Sequence, residues 1–221
     1  MILPKTGFLS DASERLTAML ESLATDVKIE TGQVLFDKDD EGDALFAVLS
    51  GTLEASVLSP DGRKLVLDVM RPGSLFGEIA LFDPGLRTAT IEALEPARLR
   101  RLKNADLLAE IRKSPELAID MIRLAGQRMR WMNGQLGDQV FLPLPTRLAR
   151  KILHLTTDGD KTLDTLSMSQ AHLADFVGVT REAVSKVLSE WKKLGILGPG
   201  RRDVAILDRD ALQQLAEYDL F

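Results

Sequence analysis

The 221-residue chain carries 28 Lys+Arg against 33 Asp+Glu and is 45% apolar, the balance of an ordinary globular protein and not of a disordered or fibrous one. It has no cysteine, which excludes disulfides, thiolate metal sites and cysteine-held iron–sulfur clusters, and its two histidines, His154 and His172, are too far apart in sequence to make a metal cluster. No apolar run approaches the roughly 20 residues a membrane helix needs, and Met1 to Ser10 lacks the basic-then-apolar pattern of a secretion signal, so the expected location is the cytoplasm, with no membrane partner.

A helix opens the chain over "SDASERLTAMLESL", with Ser10 or Asp11 as its N-cap. The pattern then switches to period two. "DVKIETGQVLF", "DALFAVLSGTLEASVLS", "RKLVLDVM" and "RTATIEALEPARLRRL" read as short strands between turn signals, of which Pro60-Asp61-Gly62 is the firmest hairpin. Regular spacing of strands and glycine turns predicts a barrel or jelly roll. From Pro115 the period becomes helical. Ala118, Ile122, Ala125, Met129, Met132 and Leu136 form a coiled-coil seam, and Leu117, Met121 and Leu124 form a second stripe beside it. Either both stripes pack inside one monomer, or the seam joins two copies. Pro143 and Pro145 break the helix and place a hinge between domains.

The remainder reads as helices, "TRLARKILHL" and "SQAHLADFVGVTREAVSKVLSEWKKLGIL", then two strand-like pieces around Gly198 to Arg202 and a helix opened by Asp208, which is the outline of a winged helix. Gly178 supplies the turn between two helices and Thr180 caps the second. With Val184, Val187, Leu188 and Trp191 buried, Arg181, Glu182, Ser185 and Lys186 face outward. Arg can fork onto guanine O6 and N7, and Glu can accept from cytosine N4. Charge supports this reading. Before Pro143 there are 17 Lys+Arg against 22 Asp+Glu, but Thr180 to Arg202 holds six cations against Glu182 and Glu190. A basic patch on an acidic chain is the footprint of directed nucleic-acid binding. Ser169 and Arg201 complete the expected DNA-contacting set.

The strand-rich region carries one anomaly, "FGEIALFDPGLRTAT", with a Gly-Glu step at Gly77-Glu78 and an Arg-Thr step at Arg87-Thr88. Two explanations compete: a structural Glu78–Arg87 ion pair, or two halves of a ligand clamp. Taken with the seam helix and "VTREAVSKVL", the segment resembles the cyclic AMP receptor protein and FNR (Crp/Fnr) family of bacterial transcription regulators, over nearly the whole chain. The resemblance implies an α+β architecture: an N-terminal β jelly-roll domain of the cyclic-nucleotide-binding kind (1–114), a dimerisation helix and hinge (115–142) and a C-terminal winged helix-turn-helix domain (143–221). It implies that Gly77 admits backbone amides to the ligand, Glu78 accepts from the ribose 2′-hydroxyl, Arg87 pairs with the cyclic phosphate and Thr88 adds a hydroxyl bond, with Ile79 and Ala80 beside them.

In the cyclic AMP receptor protein a Thr-Ser step on the seam helix contacts adenine; Met132 and Asn133 stand there in this chain. Thr88 is similar to its counterpart in eukaryotic cyclic-GMP domains. Cyclic AMP is therefore the first expectation and cyclic GMP the alternative. In the DNA helix Arg181 and Glu182 match the cyclic AMP receptor pattern, Glu182 and Ser185 match the FNR pattern, and Lys186 replaces an Arg common to both, which leaves TGTGA-like and TTGA-like half-sites open. The implied partners are an inverted-repeat DNA operator, a second copy of the chain and RNA polymerase. No catalytic residue, cofactor or metal ligand is expected. Two alternatives remain: a regulator of the same build that senses another effector, and a cupin-like metal enzyme, which the absence of histidine from residues 1 to 115 disfavours.

Overall fold

A computed structural model describes residues 13–158, 161–199 and 203–217. The chain forms two compact units: the residues up to Val57 with Leu67–Met132, and Leu58–Val66 with the residues from Asn133 onward.

In the first unit, α1 (Glu14–Leu23) is capped by Ser13, whose hydroxyl accepts from the Leu16 amide at 3.1 Å. Ser13 holds the position expected of Ser10 or Asp11, both of which lie outside the described residues. Eight strands follow, the end of β4 and the start of β5 falling in the Leu58–Val66 stretch of the second unit: β1 (Thr25–Ile29), β2 (Val34–Phe36), β3 (Ala44–Ser50), β4 (Leu53–Leu58), β5 (Lys64–Met70), β6 (Leu75–Phe76), β7 (Thr90–Ala93) and β8 (Ala97–Lys103), with the short helix α2 (Ile79–Phe82) after β6. They build two four-stranded sheets, in the orders β1-β8-β3-β6 and β2-β7-β4-β5. This is the jelly roll that the turn spacing predicts.

Ile29, Phe46, Val48, Leu53, Met70, Phe76, Ile91 and Leu99 fill the space between the sheets. On the outer face, Leu45, Ala47, Leu49 and Leu102 pack against Leu16 and Leu20 of α1, Leu107 of α3 (Asn104–Lys113), and Leu117, Met121 and Leu124 of α4 (Glu116–Phe141). β3 is buried on both faces, which explains why "ALFAVL" is continuously apolar. The helix α3 is absent from the sequence reading: among its ten residues only Leu107 is fully buried, too little for a stripe to stand out.

The long helix α4 divides as its two stripes predict. Leu117, Met121 and Leu124 are buried, whereas Ile122, Met129 and Leu136 are 68%, 61% and 64% exposed. It ends at Phe141, and α5 (Leu144–Leu155) has Pro143 as its N-cap and Pro145 in its first turn, so the break falls at the expected prolines.

In the second unit come β9 (Thr157–Asp158), β10 (Lys161–Thr162), β11 (Thr165–Ser167), α6 (Gln170–Val177), α7 (Arg181–Lys193), β12 (Asp203–Ala205) and α8 (Arg209–Ala216). Leu148, Ile152, Leu173, Val184, Leu188, Trp191 and Leu212 are buried there. β12 pairs antiparallel with β11, and Leu197 bridges Ile206, closing the wing. Asp208 caps α8 by accepting from the Ala211 amide at 2.9 Å.

Candidate effector pocket and nucleic-acid interface

Three backbone links tie residues 85–87, just before Thr88, to the 39–42 loop, and the Arg87 side chain reaches back to Gly77. The Arg87 amide donates to the Asp40 carbonyl at 2.8 Å, the Asp39 amide to the Arg87 carbonyl at 2.9 Å, and the Gly42 amide to the Gly85 carbonyl at 3.2 Å. Asn104, which the sequence reading missed, pins the same place from α3: its Nδ2 donates to the carbonyls of Gly42 and Ala80, each at 3.2 Å.

Arg87 is only 5% exposed. Its guanidinium lies 4.2 Å from the Phe36 ring centre and 5.6 Å from that of Phe46. Nη1 donates to the Gly77 carbonyl at a long 3.4 Å, Nη2 is 3.9 Å from Asp43, and the buried Nε has no hydrogen-bond partner. Burial lowers its pKa, with Asp43 the leading opposing influence. The result is a buried cation with more donor capacity than its partners use, an arrangement that favours an added anion.

Gly77 has φ of +85°, a conformation L side chains rarely adopt, and a Cβ there would stand 2.8 Å from Arg87 Nη1 and 2.9 Å from the Ala44 carbonyl. The backbone must therefore be bare where it passes the guanidinium. Glu78 precedes α2 and is largely buried, Ala80 is buried, and Ile79 and Thr88 are exposed.

Glu78 and Arg87 do not form the ion pair that was the structural explanation of this segment. Glu78 pairs with Arg128 of α4, whose Nε is 3.8 Å from its carboxylate, and Arg87 turns to Asp43. Arg128 is a residue the sequence reading missed. Its Nη1 bonds Asp68 of β5 at 2.8 Å, and its guanidinium lies 4.5 Å from the Trp131 ring centre. Burial raises the Glu78 pKa, opposed first by Arg128. Met132 follows Arg128 by one helical turn, and both Met132 and Asn133 are exposed.

In the second unit, Gly178 ends α6 in the left-handed conformation (φ +69°) and Thr180 caps α7, accepting from the Ala183 amide at 3.3 Å. Val184, Val187, Leu188 and Trp191 are buried, as their spacing predicts. Arg181, Glu182, Ser185 and Lys186 share one surface groove with Ser189, a residue the sequence reading passed over. A second concavity beside it is lined by Arg181 with Ser169, Gln170 and Ala171, and Ser169 caps α6 by accepting from the His172 amide at 3.1 Å. Arg201 lies outside the described residues. Among the described residues no group of three His, Asp or Glu side chains is placed to hold a metal ion, and no helix is long and apolar enough to cross a membrane.

Comparison with known proteins separates the same two parts. Residues 26–114 match the cyclic nucleotide-binding domain model, and residues 146–215 match the Crp-like helix-turn-helix domain model. The chain is 29% identical over 220 residues to a CRP-like cAMP-activated global transcriptional regulator of Mycobacterium tuberculosis, covering 97% of this chain and 98% of that one. It is 34% identical over 186 residues to the cyclic AMP receptor protein of Thermus thermophilus, covering 81% and 85%. Among solved structures, a CRP/FNR-family transcriptional regulator of Thermus thermophilus superposes with a TM-score of 0.75 at 27% identity, covering 88% of this chain and 99% of the other.

Proposed function

Because the chain belongs to the Crp/Fnr family of transcription regulators, with a cyclic nucleotide-binding domain and a Crp-like helix-turn-helix domain, we propose that it is a homodimeric regulator whose operator binding is controlled by a cyclic nucleotide in the jelly roll. The observation that carries the effector reading is Arg87: a buried, undercompensated guanidinium behind a glycine that leaves room for approach. In this reading the cyclic phosphate takes Arg87 and the hydroxyl of Thr88, the amides around Gly77, Ile79 and Ala80 line the approach, and Glu78 accepts from the ribose. Met132 and Asn133 meet the base. Cyclic AMP ranks first, since two of the relatives are named for it, and cyclic GMP is the alternative.

The exposed stripe of Ile122, Met129, Met132 and Leu136 supports a second copy across α4, since burying such side chains is worth about 1.5–3 kcal/mol each. The working division is an effector domain over 1–114, the dimer helix and hinge over 115–142, and a DNA-binding domain over 143–221. A dimer sets two α7 helices into successive major grooves of an inverted repeat about 34 Å apart. Arg181, Glu182, Ser185 and Lys186 read base edges there, while Ser169 and Arg201 hold phosphates; promoter-bound dimer then meets RNA polymerase. The effector acts by binding the DNA-competent arrangement more tightly than the other.

The test is titration of cyclic AMP and cyclic GMP by calorimetry, alongside a gel shift on an inverted-repeat operator, with Arg87→Leu in parallel. Nucleotide binding that strengthens the shift, and its loss in Arg87→Leu with the dimer intact, is the expected result. Unchanged affinity in Arg87→Leu would remove the clamp assignment.

A further inference from the structure

Asp68 has no part in the clamp described above, yet it is a carboxylate on β5 engaged on both oxygens in a largely buried place. Oδ1 accepts from the Val69 amide at 2.8 Å and Oδ2 from Arg128 Nη1 at 2.8 Å. The same guanidinium reaches Glu78 only at 3.8 Å, beyond hydrogen-bonding distance. One arginine is thus shared unequally between two acids, the short bond going to the acid that is not expected to touch ligand. The space bounded by Leu75, Glu78, Leu124 and Arg128 is about 10 Å³, room for at most one water.

We infer that Asp68 is a positioning residue for the effector site, holding Arg128 off Glu78 so that the Glu78 carboxylate is available to the effector's ribose hydroxyl. The inference rests on the effector reading above. When the ribose takes Glu78, Arg128, whose side chain is 21% exposed, still favours a counter-charge, because a largely buried cation that loses a partner is disfavoured. Asp68 supplies that counter-charge. Without it, Glu78 is the other acid already in ion-pair range of Arg128, and the effector has to compete with that pair. The charged groups acting on Glu78 are Arg128 from α4, Asp68 from β5 and Arg87 from the loop before β7. Asp68 therefore tunes Glu78 through Arg128 as well as directly.

A double-mutant cycle on the full-length protein tests this. Asp68→Asn keeps the shape and an acceptor for the Val69 amide, and Arg128→Gln removes the shared cation; thermal unfolding verifies the fold of each. Two quantities are read: the Glu78 carboxyl titration by carbon NMR without ligand, and cyclic AMP and cyclic GMP affinity by calorimetry. In Asp68→Asn, Arg128 closes onto Glu78, so the Glu78 midpoint falls and affinity weakens by about tenfold, the usual size of coupling between contacting groups. In the Arg128→Gln background the same Asp68 change keeps only its smaller direct effect on the Glu78 midpoint and leaves affinity nearly unchanged. Equal effects of Asp68→Asn in both backgrounds, or an unmoved Glu78 midpoint beside normal nucleotide binding, would overturn the role of Asp68 alone. Failure of the unmutated protein to bind either nucleotide would instead overturn the effector reading, and the role of Asp68 with it.

Discussion

Gly77→Ala separates the two reasons for a glycine beside Arg87. The first is conformational: at φ +85° an alanine pays the left-handed penalty, about 1–2 kcal/mol. The second is contact, since the new Cβ would stand 2.8 Å from Arg87 Nη1 and 2.9 Å from the Ala44 carbonyl. The guanidinium is the end of a side chain and can shift, but the carbonyl belongs to β3, which is buried on both faces and cannot retreat. Overpacking of this kind costs about 1–3 kcal/mol, giving a total of about 2–5 kcal/mol. Gly62, in the hairpin between β4 and β5, supplies the control: its φ is +81°, and a Cβ there meets nothing within 4 Å. Gly62→Ala should therefore lose only the backbone part. Urea unfolding of both variants, with m-values compared to the unmutated protein, gives the difference directly. A Gly77→Ala loss no larger than that of Gly62→Ala would refute the contact argument, and with it the claim that Arg87 is held against bare backbone.

Three further outcomes follow from the geometry. Glu78 has a raised folded-state pKa, so its charge destabilises the fold above that value and the cost vanishes once the pH falls below the ordinary glutamate value, about 4.3. Glu78→Gln should therefore unfold at higher urea than the unmutated protein at pH 8 and show no such gain near pH 4; a gain independent of pH would contradict the assigned cause. Met129→Glu places a charge in the exposed stripe of α4, and sedimentation velocity should show dimer giving way to monomer with unchanged helical content; an unaltered dimer would move the interface elsewhere. Lys186→Ala should weaken operator binding by about 1–3 kcal/mol and binding to random DNA by less, whereas equal losses would make Lys186 a phosphate contact only.

The helix-turn-helix was legible in the sequence because its signals are local. Thr180 caps α7 through the amide three residues on, and Gly178 and the buried stripe of α7 act within the same two helices. The break at Pro143, the Pro60-Asp61-Gly62 turn and the two stripes of α4 were legible for the same reason: each depends on backbone restrictions or periodicity inside a short window. The wing was only half visible. The pieces joined by the Leu197–Ile206 bridge read as strands, but β11, which pairs with β12 from some 38 residues earlier, carries no pattern of its own over three residues.

The jelly-roll site divides along the same line. Gly77, Glu78, Arg87 and Thr88 could be picked out because a Gly-Glu and an Arg-Thr step interrupt alternating strands and match a known motif. Which charge meets which could not be read, because the pairing partners are distant in sequence. Asp43 approaches Arg87 across 44 positions, Arg128 reaches Glu78 across 50, and Asp68 meets Arg128 across 60. By itself the sequence determined the element types, the caps and turns, the family motifs and the residue chemistry available at each site, all of which depend on neighbours along the chain. Only the tertiary structure decided that Glu78 belongs with Arg128, that Arg87 is buried over the Phe36 and Phe46 rings with a donor to spare, and that Asp68 stands behind Arg128. Charge pairing depends on distance and burial in space, and these are properties of the packed sheets and α4 together.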